Sequence, residues 1–461
     1  MTGFFGSPNL GDEAICLSVL RAFRRHHARC VVATHSAARS RQSCGVNASW
    51  IEGDYPHPSF WLNFSRHLAA IWRADIVTIG GGGLFQDVQS WSVLPSFMLP
   101  AALGIMAGKR VATVAIGAGP LQRPWLSRLM AGMCRGMSLI TVRDQGSADF
   151  LAERGVDRER IIVTGDPVCA MIASNTRRRR PARTRPIVGL SVRRWPGADQ
   201  HRIAALIDRL VSSGYDVRIL RLQPHPFDRF EQDLDTLVAP DVRQHLGVWT
   251  PRSVRDAIDR ISRLDALIAM RLHANMIAVG LGVPTLAISY DPKVDSFMRR
   301  VGLARWSRPV TSLGEDLLPD LEACIRDETS HRARLASRFA EIVRDAETTF
   351  PLILDAPRAR LDAMTRLRAA GVALLLIALG LASQVRRPVR KLRQIVARIR
   401  ARFTPRVGVT KPKVVAWEGP AVAMLRTGDI LADRRRLSAA AGGSRAAGRG
   451  SRPASRRTRE S

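Results

Sequence analysis

Continuous apolar segments alternate with helical stretches along most of this chain, and that alternation limits its fold more than any other property. Apolar segments at residues 30–34, 75–79, 110–116, 139–142 and 161–164 read as strands, and residues 13–25, 125–135 and 146–153 read as helices. Strands that are apolar on both faces and separated by helices belong to a parallel sheet covered on both sides. A segment with Arg177 to Arg180, two prolines and almost no apolar residue then interrupts the pattern, as a linker does. Beyond it the rhythm restarts with 187–192, 203–212, 216–222, 230–238, 253–261 and a strand–helix–strand unit over 266–289. A chain of 461 residues can bury more than one core. The expected fold is α/β, with one Rossmann-like domain over residues 1–172, a basic linker over 173–186 and a second Rossmann-like domain over 187–350.

The remainder is a different material. The formal net charge is +31, and residues 356–461 hold 25 Lys plus Arg against 5 Asp plus Glu, a net of +20 that leaves +11 for everything before them. This stretch reads as a basic, poorly ordered C-terminal tail. Residues 369–382 form an uncharged aliphatic run of 14, short of the roughly 20 residues that cross a bilayer. Followed by basic residues, the run fits an anionic membrane surface; the other reading is an extension without function. Nucleic acid is not an expected partner, because Phe403 and Trp417 belong to no recognisable stacking or groove-reading module. Six cysteines without a Cys-x-x-Cys pair argue against a zinc site or a disulfide scaffold, so no metal is expected and a reducing compartment is. No basic segment followed by an apolar run opens the chain, and the expected location is cytoplasmic, peripheral at the inner face of the plasma membrane if the tail binds there.

The most informative chemistry lies in Arg271-Leu272-His273. A permanent cation and an imidazole stand two residues apart where an apolar strand (266–270) gives way to a helix of small residues (274–280). Open α/β sheets bind ligands at such junctions, where a helix N-terminus offers unpaired N–H groups and partial positive charge. Arg grips phosphate or carboxylate as a fork, and imidazole exchanges protons near neutral pH. The pair suits chemistry on a phosphorylated acid; the plainer reading is that His273 caps the helix or fills a polar core position. A second apolar strand ends at Ser289, and Tyr290-Asp291-Pro292-Lys293 brings another basic group toward the same crevice.

Arg-x-His, a small-residue helix, Gly282-Val283-Pro284, an apolar strand and Ser-Tyr-Asp-Pro-Lys-Val occur in that order. GFFGSPNLGDEAIC (3–16), IGGGGLFQD (79–87), AIGAGPL (115–121) and TVRDQGSADFL (141–151) lie upstream. With these five blocks over residues 3–303 the chain resembles the polysaccharide pyruvyl transferase family, especially the branch that pyruvylates bacterial cell-wall polymers and anchors S-layers. The resemblance implies a GT-B-like arrangement of the two domains. It also implies phosphoenolpyruvate as co-substrate with no further cofactor, and a glycan or lipid-linked saccharide as acceptor. One departure stands out: only Met1 and Thr2 precede Gly3, where the family has a first strand, so either the start lies upstream or the sheet lacks a central strand.

Carried over by motif, Arg143, Arg271, the Leu272 backbone and Lys293 are the expected donor contacts, and His273 is the expected general acid/base. An ion pair with Asp144 is the competing role for Arg143, and a solvated helix-start position the competing role for Lys293. Asn9, Gly11 and Asp12 open the first helix as acceptor or loop candidates, although Asp12 also suits helix capping. Gly81 and Gly82 follow a strand, where absent side chains admit a ligand to the backbone, and Asp87 is expected at the same crevice. The reading is a transferase that moves enolpyruvate onto a sugar as a ketal and releases phosphate. The alternatives are a GT-B glycosyltransferase using a nucleotide sugar and a non-catalytic scaffold at a membrane surface.

Overall fold

A computed structural model describes residues 1–403 apart from 54, 89, 174–182, 225–229, 232 and 360. The Arg177 to Arg180 run and the tail from residue 404 onward therefore lie outside the described residues. The chain is a mixed α/β protein built on two parallel sheets.

In the first half, β1 (Val31–Thr34), β2 (Ser49–Glu52), β3 (Ile76–Phe85), β4 (Arg110–Ala118), β5 (Ile140–Val142) and β6 (Ile161–Val163) run parallel, β1 beside β2 and β3 to β6 in sequence order. Met1 and Thr2 join the two groups. The Thr2 amide donates to Thr78 O at 2.9 Å, its carbonyl accepts from Gly80 at 2.8 Å, and Met1 O accepts from Ala33 at 2.9 Å. Two residues thus hold the place of the first strand between β1 and β3, with Thr2 bridged to Ala33 and Ile79. In the second half, β7 (Ile187–Ser191), β8 (Asp216–Leu220), β9 (Leu246–Trp249), β10 (Ala266–Ala269), β11 (Thr285–Ser289) and β12 (Ser307–Pro309) pair in the order β12-β11-β10-β7-β8-β9, all parallel. In both sheets the chain steps outward on one side of the first strand, returns and steps outward on the other. The strand order reverses beside that first strand, and this is the place where open α/β sheets carry their ligands.

The halves share a core. Phe5 and Ile15 from the first, Ala269 and Ala274 from the second and Phe350 from near the C-terminus belong to one buried apolar cluster. The helix Leu318–Asp355 ties them: Leu321 and Ile342 pack in the second half's core, while Phe350 stacks edge-on against Phe23 with centroids 5.6 Å apart. Its end is held by Arg110, whose Nη1 donates to Leu354 O at 2.7 Å. A last helix, Ala363–Phe403, covers the aliphatic run and continues into the basic segment.

Candidate active site

The candidate side chains sit where strands stop. Arg143 follows β5, Asp166 follows β6, Arg271 and His273 follow β10, and Lys293 follows β11. Helix Leu10–Arg25 begins directly after the loop that leaves Thr2, and Asn9 caps it, accepting from Gly11 N at 3.1 Å through its side-chain oxygen. The Asn9 amide also donates to Asp12 Oδ2 at 2.7 Å. Asn9, and not Asp12, is thus the capping residue, and Asp12 is turned toward the second half.

His273 lies against Gly11. A Cβ on Gly11 would stand 2.2 Å from His273 Nδ1 and 2.9 Å from its Cγ, so only glycine admits the ring there. On the opposite edge His273 Nε2 is 3.7 Å from Asp166 Oδ2. Among the described residues neither of these buried atoms has a hydrogen-bond partner, and the gap is too long for a hydrogen bond. The other Asp166 oxygen accepts from Val168 N at 3.0 Å. Burial pushes the Asp166 carboxyl up, but His273, the Arg143 guanidinium and the Val168 amide outweigh it and hold the group below the usual carboxylate range. Asp12 behaves oppositely. Burial raises its pKa to about 6 against the pull of His273, the Asn9 amide and Lys293, and Asp166 adds repulsion. The imidazole is therefore flanked by one carboxylate held ionised and one carboxyl that titrates close to neutrality.

Arg143, Asp166, Leu272, Lys293 and Arg300 line one small hollow. Arg143 is buried in a slot that Gly117 opens, since a Cβ at Gly117 would come within 2.7 Å of its Nη2. Its Nε donates to Asp144 Oδ2 at 3.0 Å, so the ion pair and the place at the hollow coexist. Lys293 Nζ is 2.7 Å from Asp291 Oδ2. Burial raises the Asp291 carboxyl, but Lys293 and Arg143 bring it below its ordinary value. Leu272 opens the helix Leu272–Gly280, whose first residues have no side-chain cap and leave N–H groups for a ligand. Arg271 stands apart: it does not line this hollow, and its Nη1 donates to Gln223 Oε1 at 2.6 Å.

The glycine run does a packing task. Gly81 and Gly82 have φ of +48° and +82°, and a Cβ on Gly81 would lie 2.0 Å from Ile15 Cγ2, while one on Gly82 would lie 3.5 Å from Asp12 Oδ1. Gly81 thus lets β3 approach the first helix at Ile15, while the contact a side chain on Gly82 would make is an ordinary one. Asp87 is occupied elsewhere. Its oxygens accept from the amides of Gln122 and Arg123 at 2.8 and 3.0 Å and from Arg123 Nη1 at 3.1 Å, holding the entry to helix Pro124–Gly136.

Sequence reasoning missed Asp166, Arg300 and an aromatic group. Asp166 stands after an apolar strand and before a helix, the placement that singled out Arg143, and that was the available signal. Trp195, after β7, meets Tyr290, after β11, edge to face at 4.8 Å; the Arg193 guanidinium lies 5.2 and 5.3 Å from the two ring centroids.

Solved structures share this fold at low identity. The UDP-GlcNAc 2-epimerase of Neisseria meningitidis bound to UDP-GlcNAc is 12% identical with a TM-score of 0.52, over 77% of this chain and 98% of that one. A glycosyltransferase from Rickettsia africae is 12% identical with a TM-score of 0.54, over the same shares. Such likeness establishes the GT-B-like architecture and leaves the chemistry to the site. The family model for polysaccharide pyruvyl transferase matches residues 9–292, more than half of the chain and the span from Asn9 to the turn before Lys293. By that match the chain belongs to the polysaccharide pyruvyl transferase family.

Proposed function

We propose that the protein transfers enolpyruvate from phosphoenolpyruvate to two hydroxyls of one sugar in a cell-wall or exopolysaccharide precursor, forming a pyruvate ketal and releasing phosphate. The observation that carries this reading is the His273 imidazole seated on Gly11 with Asp166 3.7 Å away, next to a hollow lined by Arg143 and Lys293. Two cations and the free amides of a helix N-terminus suit a compact donor with a carboxylate and a phosphate.

The reaction protonates the donor's methylene carbon, adds one sugar hydroxyl at carbon 2, expels phosphate and closes on a second hydroxyl. Of the two hydroxyl protons released, one balances the proton taken up by carbon and the other leaves with phosphate. His273 hands on protons as general acid/base, Asp166 positions the ring, and Asp12, titrating near neutrality, accepts from an attacking hydroxyl. Departure of phosphate is stabilised by Arg143 and Lys293. Arg271, held on Gln223 outside the hollow, is a donor contact by the family motif alone.

The test is to incubate the purified protein with phosphoenolpyruvate and a panel of lipid-linked and aryl glycosides, following phosphate and acceptor mass together. The expected result is one phosphate per acceptor that gains pyruvate less water. Transfer from a UDP-sugar, with phosphoenolpyruvate inert, would replace this reading by that of a glycosyltransferase.

A further inference from the structure

The helix Ala363–Phe403 leaves a long apolar face uncovered. Residues 363–384 are apolar on average, yet only 22% of their most apolar 18 residues are buried. Ala369, Ala373, Leu376 and Gly380 point inward, onto the cluster that contains Tyr55, Phe60 and Trp61. Tyr55 donates to Leu376 O at 2.5 Å, and Gln384 donates to Pro56 O. Leu367, Leu374, Leu375 and Leu381 recur at helical spacing on the other side and are exposed, Leu374 to 69%. The ground beside the helix is apolar too: Leu62, next to the Trp61 that packs on Gly380, is 84% exposed. Soluble surfaces carry scattered apolar residues, but a continuous stripe of this kind marks a binding face.

We infer that this face docks the protein onto an anionic bilayer, with the helix lying in the plane of the headgroups. Three observations select that occupant. The uncharged stretch between Arg368 and Arg386 has 17 residues, roughly 26 Å of helix against a hydrocarbon core of about 30 Å. One side of it is packed on the protein and so closed to lipid, which fits a helix lying on the membrane and not one crossing it. Residues 385–403 then hold eight Lys and Arg and no acidic residue, a charge that attracts anionic headgroups and that would oppose a second copy of the chain brought to the same face.

Flotation of the full chain with vesicles tests this directly. Association is expected with an equal mixture of phosphatidylcholine and phosphatidylglycerol, weaker with phosphatidylcholine alone and weaker in high salt. The variant Leu374→Glu/Leu375→Glu/Leu381→Glu alters only exposed positions, so its thermal midpoint should hold while its vesicle binding falls at least about tenfold. Should the triple variant lose its fold, Leu374→Glu alone should still weaken binding. Equal flotation of folded variant and wild type would overturn the inference, as would absence of wild-type binding to the anionic vesicles. So would sedimentation showing a wild-type dimer that the variant abolishes, which would make a second copy the occupant.

Discussion

The two halves share a strand order but contribute opposite things to the cleft. The first supplies room: Gly11, Gly81, Gly82 and Gly117 each stand where a Cβ would meet or closely approach a neighbouring side chain, and around that room it fixes Arg143, Asp12 and Asp166. The second supplies the ring that fills the room at Gly11, placing His273 and Lys293 on helix starts beyond β10 and β11, whereas Ile15, Asp12 and Arg143 of the first half fill the room at Gly81, Gly82 and Gly117. The difference shows how a duplicated architecture builds one asymmetric site, one half shaped as a mould and the other as its cast. Gly11 is the glycine of the mould that admits the imidazole.

That division can be broken from either side. The largest effect is expected from the cast: His273→Ala should lower kcat by about 10²–10⁴ with the thermal midpoint preserved, read as phosphate release from phosphoenolpyruvate. Unchanged turnover would sink the acid/base role. Next comes Glu13, fully buried in the mould, where Gly6 N donates to its Oε1 at 2.5 Å. Burial pushes Glu13 from 4.5 up to about 7, against the Gly6 amide. The native state therefore holds this proton more tightly than the unfolded chain does. The stability it contributes is complete below about pH 4.5, declines as pH rises and is gone above about 7, a change of roughly 3 kcal/mol. Urea unfolding across that window should show the decline in wild type and a flatter profile in Glu13→Gln; parallel profiles would refute it.

Gly11→Ala edits the mould alone. By displacing the ring it should cost about 10² in kcat while donor KM stays near wild type, and a variant with full kcat would show that the contact is incidental. The smallest change separates the two arginines. Arg143→Lys should raise donor KM about tenfold, because a point charge does not reproduce the fork, and Arg271→Lys should do less. The reverse ranking would mean that Arg271 leaves Gln223 for the donor and that the second half holds more of the anion.

How much of this was legible in the chain depends on what the signal had to travel through. Strands β4, β7, β10 and β11 are continuous apolar runs and stand out, as does the Arg271-Leu272-His273 turn between a strand and a helix. Helix Val93–Met106 does not: it is apolar nearly all round and holds Pro95 and Pro100, so it shows no period and reads as broken. The reach of Arg143 into the hollow depends on Gly117, and that of His273 on Gly11, both contacts across more than 25 residues that no local pattern encodes. Asp87 illustrates the converse. Its place beside the glycine run suggested the crevice, whereas the backbone amides of Gln122 and Arg123 take both of its oxygens. The carboxylate that does reach the imidazole, Asp166, lies in an unremarked Thr-Gly-Asp-Pro turn.

The helix Leu318–Asp355 begins among the side chains of the second half and ends on Phe23 and Arg110 of the first. A single helix fastened at both ends works as a tie-beam. It joins the wall that carries His273 and Lys293 to the wall that carries Asp12, Arg143 and Asp166, so that the spacing between them is built into the fold itself.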